Sequence, residues 1–208
     1  MTLIAPDTAA AFFAVSALLA LSPGPDNVFV LMQSAMHGRS AGLLVVLGLC
    51  SGLLVHTAAV SLGLATLFAA STLAFTALKW VGALYLLFLA WQAWQAPVGQ
   101  LAAQPMHDAG RLYRRGIIMN VTNPKVSIFF LAFLPQFVMA ERGSVAVQVL
   151  WLGFIFMLAT LLVFGAIALT AGSLGQALVR SARAQQSLNR GAAVVFAALA
   201  LRLAMVQH

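Results

Sequence analysis

Six runs of apolar residues, at about 8–36, 41–70, 72–95, 113–139, 145–171 and 188–206, occupy most of this 208-residue chain. A helix needs about 20 predominantly apolar residues to cross a bilayer. Runs of that length confine the backbone to helices, because hydrocarbon offers no partner for a free N–H or C=O. The charge content agrees. Only 7% of the residues are charged, against about 25% in a typical soluble domain, too few to cover a surface in water. The expected fold is an all-α polytopic membrane protein with six transmembrane helices in a single membrane domain, 1–208. The N-terminal stretch "MTLIAPDTAAAFFAVSALLAL" has no basic n-region and carries Asp7, so it reads as a retained first span and not as a signal peptide.

Two of the runs are too long to be single straight spans. As continuous helices, 8–36 and 113–139 would each extend roughly 40 Å at 1.5 Å per residue, well beyond the hydrocarbon core. Both are interrupted by proline: Pro23 and Pro25, with Gly24 between them, in "SPGPDN", and Pro124 in "TNPK". Proline removes a backbone donor and clashes with the preceding turn, and glycine loosens the chain further. The first and fourth helices are therefore expected to be broken. Each opens a group of three spans, and because three is odd the groups enter the membrane from opposite sides. This is the pattern of inverted repeats, here about 1–95 and 113–206 joined by a linker of about 96–112. A Pro/Gly-interrupted segment in each half points to a site near the midplane.

The basic residues set the orientation. Arg39, Arg111, Arg114, Arg115, Arg180, Arg183 and Arg190 fall in the first, third and fifth connections, while Arg142 is the basic residue of the fourth. Lys79 and Arg202 lie near the opposite ends of the third and sixth spans. The positive-inside rule puts the linker in the cytoplasm and both termini outside it. The net charge of +7 is spread between apolar spans and forms no basic face interleaved with aromatics, so no nucleic-acid partner is expected. Trp91 and Trp94 fit an interfacial belt at the cytoplasmic end of the third span.

Aligning the breaks on Pro25 and Pro124 sets Asp26 opposite Lys125. A charge at membrane depth costs about 2.5–3.5 kcal/mol on insertion scales, so both should face a wet cavity or each other. Two readings stand. They form a structural ion pair that pins the halves together, or Asp26 binds a substrate ammonium or a coupling proton while Lys125 holds a carboxylate or balances Asp26. Asn27 and Asn123, with Ser22, Thr122 and Ser127, supply neutral groups that either cap the half-helices or touch substrate. His56, near the middle of the second span, is either a hydrogen-bonded core residue or a proton relay. Gly48 and Gly52 form a small-xxx-small pair that permits close packing within a protomer or in a homodimer. The one cysteine, Cys50, excludes an intramolecular disulfide and a thiolate metal cluster. No nucleophile–base constellation, HExxH or Walker A sequence is present, so the chain is not read as an enzyme, and no cofactor or metal is expected.

Together "SPGPDNVFVL", "GRSAGLLVVLGLCSG", "LKWVGALYLLFLAWQ" and "RGIIMNVTNPKVSIFFLAFLPQFV" resemble the lysine exporter (LysE) superfamily, in particular its homoserine/threonine exporter (RhtB) branch, along essentially the whole chain. The resemblance implies a six-span amino-acid exporter of the bacterial inner membrane, driven by the proton gradient, and directs attention to Pro23, Gly24, Pro25, Asp26, Asn123, Pro124 and Lys125. Of four acidic residues, only Asp26 is available within the membrane, which suits a zwitterion better than a cationic amino acid. The expected function is secondary active export of small neutral amino acids resembling threonine, homoserine or leucine, by proton antiport. The alternatives are export of cationic amino acids, of another small solute or of a metal cation, and a non-transporting scaffold.

Overall fold

The computed structural model describes residues 3–22, 24–70, 72–95, 108–171 and 181–205, and every regular element among them is helical. Proline opens three of the helices, at the position where its missing N–H would in any case lack an intrahelical partner. These are α1 (Pro6–Leu21), α2 (Pro25–His37) and α6 (Pro124–Ile128). Asp7 and Asp26 sit in the first turns of α1 and α2, where a carboxylate meets the positive end of the helix dipole. Gly38, at φ 85°, closes α2 in a conformation that favours glycine. Then come α3 (Arg39–Ala70), α4 (Thr72–Gln95) and α5 (Ala109–Val121). Asp108 caps α5 by accepting the Gly110 N–H at 2.9 Å.

Beyond α6 the chain widens into a π-helical turn, Phe129–Phe133, and then tightens into a 3-10 turn, Leu134–Phe137. The break expected at Pro124 is therefore followed by irregular winding, with Pro135 at the start of the 3-10 turn. A short 3-10 turn, Ala140–Arg142, leads to α7 (Val145–Thr170), and α8 (Ala182–Met205) ends the described chain. The buried Gln148 side chain binds the Met139 N–H and C=O and the Gly143 C=O, which ties the loop to the start of α7.

Among the described residues, Arg39–Gly63 and Val145–Thr170 are long and apolar enough to cross a membrane alone. The pairs α1–α2, bent by 65°, and α5–α6, bent by 48° over Ala109–Val121 and Pro124–Phe137, qualify when each is taken as one interrupted span. Asn189–Leu201 is a shorter apolar stretch within α8. Leu54, Val55 and Leu62 of α3, Leu84, Leu87 and Phe88 of α4, and Leu150, Phe154 and Leu162 of α7 point outward. An apolar surface of that extent is out of place on a monomer in water and fits a lipid-facing band. Pro23 and linker residues 96–107 lie outside the described residues, as do Arg180 and the side chains of Lys79 and Arg202.

The packing has α3 at its centre, against α2, α5 and α7; α1 packs on α7, and α4 packs on α8. The α3–α5 crossing is backbone against backbone. A Cβ on Gly48 would strike the Tyr113 carbonyl and come within 3.0 Å of the Gly116 Cα. One turn along, a Cβ on Gly52 would lie 2.7 Å from the Asn120 side chain. Gly48 and Gly52 thus serve packing within the chain, the first of the two roles their spacing allowed. A phenylalanine cluster (Phe12, Phe129, Phe130, Phe133, Phe137 and Phe156) fills one core, and Val30, Val45, Leu49 and Phe164 anchor a second. Leu19 belongs to the first core and Ala20 to the second, so the end of α1 sits where the two meet.

Candidate functional site

Each proline break exposes backbone groups that a continuous helix would have paired, and the second break supplies partners to the first. Asn123 caps α6, its Oδ1 accepting the Lys125 N–H at 3.0 Å, and its Nδ2 donates to Asp26 Oδ2 at 2.8 Å. From the same break, Lys125 Nζ donates to the carbonyls of Leu19 at 3.2 Å and Ser22 at 3.1 Å. A cation on the last carbonyls of a helix is where the dipole favours it. Asp26 is only 4% exposed and Lys125 only 9%.

The structure thus brings Asp26, Asn123 and Lys125 together. It does not join the two charges in a contact ion pair. Among the described residues the ion pair within 4.0 Å is Arg111–Asp108, on the surface. The reason is the backbone: the end of α1 presents two free carbonyls to the ammonium, and the amide of Asn123 reaches the carboxylate first. Gly24 lies between α1 and α2 in an extended conformation, φ −174°, and a Cβ there would lie 3.3 Å from Lys125 Nζ and 3.8 Å from Asn27 Oδ1. Asn27 belongs to the same cluster and donates to the Ala20 carbonyl at 2.7 Å. Pro25 and Pro124 start the helices that carry the two charges.

His56 is set further back. Its Nε2 lies 3.1 Å from the Asn120 carbonyl, which requires a proton on that nitrogen, and its ring packs 5.6 Å from Phe130. The same carbonyl accepts the Asn123 N–H at 3.0 Å, so His56 supports the second break through its backbone and stands one step from Asp26. Asn120 was not singled out from sequence, although it lies three residues before Asn123 on the buried face of α5, where an amide needs a partner.

Four buried side-chain oxygens have no hydrogen-bond partner among the described residues: Ser22 Oγ, Asp26 Oδ1, Asn27 Oδ1 and Asn120 Oδ1. Burying an unpaired polar group costs about 1–3 kcal/mol. Three of the four fall within residues 22–27, at the first break.

Comparison with known proteins gives the family of the chain. A family model described as "LysE type translocator" matches residues 17–207. The chain belongs to the LysE family of translocators. A homoserine/homoserine lactone efflux protein of Salmonella typhimurium is 34% identical over 201 residues, covering 95% of this chain and 96% of that protein. A leucine efflux protein of Salmonella choleraesuis is 31% identical over 123 residues, 58% of each chain. An uncharacterized membrane protein of Vibrio cholerae is 34% identical over 134 residues, 64% of this chain and 65% of that one. No solved structure matches. In this LysE-family translocator the matched region takes in both breaks, so Asp26, Asn123 and Lys125 all lie within it.

Proposed function

We propose that this chain is a secondary active exporter of small neutral amino acids, of the threonine, homoserine or leucine type, driven by proton antiport across a bacterial inner membrane. The family and the efflux proteins related to the chain support amino-acid export. The observation that carries the mechanism is the state of Asp26: buried, held on one oxygen by Asn123 from the opposite half, and unpartnered on the other. A carboxylate in a low-dielectric site is stabilised by a partner cation or by a proton. A substrate ammonium and a proton compete for the same oxygen, so outward movement of one is tied to inward movement of the other.

The architecture behind this reading is six spans, α1–α2, α3, α4, α5–α6, α7 and α8, forming inverted repeats of about 1–95 and 113–206 with both termini outside the cytoplasm. The helix neighbours support it. Exchanging spans one with four, two with five and three with six turns the α1–α7 packing into the α5–α3 packing, and leaves the α3–α7 and α4–α8 packings in place. Rocking one repeat against the other would expose the breaks to each side in turn. Arg190 lies 5.6 Å over the Trp94 ring, which fits a shared cytoplasmic end for α4 and α8.

The test is efflux of preloaded labelled threonine, homoserine, leucine and lysine from proteoliposomes, with and without an imposed pH gradient. Gradient-dependent efflux of a neutral amino acid is expected. If lysine alone left the vesicles, or if the gradient had no effect, the reading would be wrong.

A further inference from the structure

The two sides of α5 differ in character. Leu112, Gly116 and Asn120 are buried, Gly116 against the backbone of α3, and the Tyr113 hydroxyl meets Ser51 of α3 at 2.8 Å. These contacts fix the rotation of the helix. On the side away from them, Arg111, Arg114, Arg115 and Ile118 fall at i, i+3, i+4 and i+7, the spacing of one helical stripe, and all four are exposed. Together they line an open groove of about 200 Å³. The stripe is basic at the start of α5 and apolar by Ile118, about 10 Å further along the axis at 1.5 Å per residue.

The chain has little negative charge of its own to set against this stripe. Of its four acidic residues, Asp26 is buried and held by Asn123, Asp7 opens α1, and Glu141 lies in the turn before α7. Asp108 remains, and its carboxylate stands 3.4 Å from Arg111 Nε. Among the described residues, Arg114 and Arg115 have no carboxylate within 4.0 Å. Residues 96–107, which lead into α5, contain neither Asp nor Glu.

We infer that the stripe of Arg111, Arg114 and Arg115 is a binding site for the phosphate of an anionic phospholipid, whose acyl chains run on past Ile118. The guanidinium fork matches phosphate oxygens in pairs. Arginine stems lie along apolar surface while their heads reach the headgroup level, and basic pockets on the cytoplasmic side of membrane helices take anionic heads. The passage from charge to hydrocarbon along one stripe matches a molecule built the same way, which a soluble phosphate is not. Setting the orientation of the chain requires only that these charges lie on the right side of the membrane. A binding site requires them on one face, and that is where the helix puts them. The inference goes beyond the exporter proposal and holds whatever solute the chain carries.

The experiment reads bound lipid by native mass spectrometry of the delipidated whole chain in detergent, where membrane orientation plays no part. Phosphatidylglycerol and phosphatidylcholine with the same acyl chains are added at matched concentration. Wild type should retain phosphatidylglycerol at least about tenfold better, and Arg114→Gln/Arg115→Gln should reduce that preference to within about twofold. Arg39→Gln/Arg183→Gln removes the same charge from other connections and should leave the preference intact. Should the stripe variant melt earlier than wild type, Arg114→Gln alone decides the question, with an expected loss of about threefold. An unchanged preference in the stripe variants would overturn the inference and make the stripe a solvated face. An equal loss in the Arg39/Arg183 variant would overturn it in favour of a general effect of net charge. Displacement of the lipid by inorganic phosphate at the same concentration would overturn it in favour of a soluble anion. Export is not read here, so the exporter proposal stands or falls separately.

Discussion

The two breaks begin from the same device, a proline that opens a half-helix carrying a charge at its second position, yet they are finished differently. The second is finished largely by its own side chains. Asn123 caps α6 with its side chain, the Thr122 hydroxyl donates to the Ile118 carbonyl at 2.7 Å, and the Ser127 hydroxyl donates to the Asn123 carbonyl at 3.1 Å. The first has Gly24 at the cap position of α2, which offers no side chain, and three oxygens without partners. The donors it does have arrive largely from the second: Lys125 Nζ on the end of α1 and Asn123 Nδ2 on Asp26. A finished break can act as scaffold, whereas an unfinished one has groups left for a ligand. On the exporter proposal, the difference gives support to the second break and response to the first.

The largest effect expected from breaking this division is on stability. Lys125→Met keeps the apolar stem and removes the ammonium, leaving the Leu19 and Ser22 carbonyls without their donor. Each hydrogen bond to a charged group contributes about 1.5–3 kcal/mol, offset by no longer burying an ammonium. A net loss of about 3 kcal/mol should be readable in a denaturant titration of the reconstituted chain. A variant as stable as wild type would show that α1 does not depend on the second break. Asp26→Asn should act in the opposite manner. The amide oxygen still accepts from Asn123, so folding should shift by less than about 1 kcal/mol. Export should fall at least about 30-fold, equivalent to about 2 kcal/mol, and lose its response to the pH gradient. Full efflux from the folded Asp26→Asn variant would make the carboxylate structural.

Much of this could be read from the residues alone. Proline in an overlong apolar run located both breaks, and the cost of a charge at membrane depth picked out Asp26 and Lys125. What could not be read was the choice of partner. Pairing Asp26 with Lys125 is the natural guess for two opposite charges at equivalent positions, but it leaves out the backbone carbonyls that a broken helix frees, and those took the ammonium. Gly48 and Gly52 announced a close approach without naming the helix approached, which depends on the three-dimensional neighbour α5 and its Gly116 and Asn120. The π-helical turn at Phe129–Phe133 has no local signal in "FFLAF". It follows from packing Phe129, Phe130 and Phe133 into one aromatic core.

Smaller changes sharpen the contrast. Asn123→Ala removes a helix cap, typically worth about 1 kcal/mol, and with it the hydrogen bond to Asp26. Stability should fall by at least that amount, since a hydrogen bond to a buried carboxylate goes with the cap, and export should weaken because the carboxylate is no longer oriented. If export fell without any loss of stability, the Asn123 side chain would belong to the responsive break more than to the scaffold.

Gly24→Ala should have the smallest effect, and it tests what kind of element the first break is. At φ −174° the backbone is extended and suits any residue, so the substitution introduces no conformational strain, and Gly24 is not held there by a need for left-handed geometry. The new methyl would meet Lys125 Nζ at 3.3 Å, a tight contact, but with the far end of a flexible side chain. A shift of a few tenths of an ångström by the ammonium should absorb it, for a stability change of at most about 0.5 kcal/mol. Export is the more telling readout. If the break works by bending at Gly24, stiffening the chain with alanine slows turnover while amine affinity is kept. If the break is a fixed cradle and the halves rock as rigid bodies, turnover changes little. A drop in affinity instead would mean that Lys125 has moved off the α1 carbonyls into the acceptor cluster, the one displacement that would undo the division of labour between the two breaks.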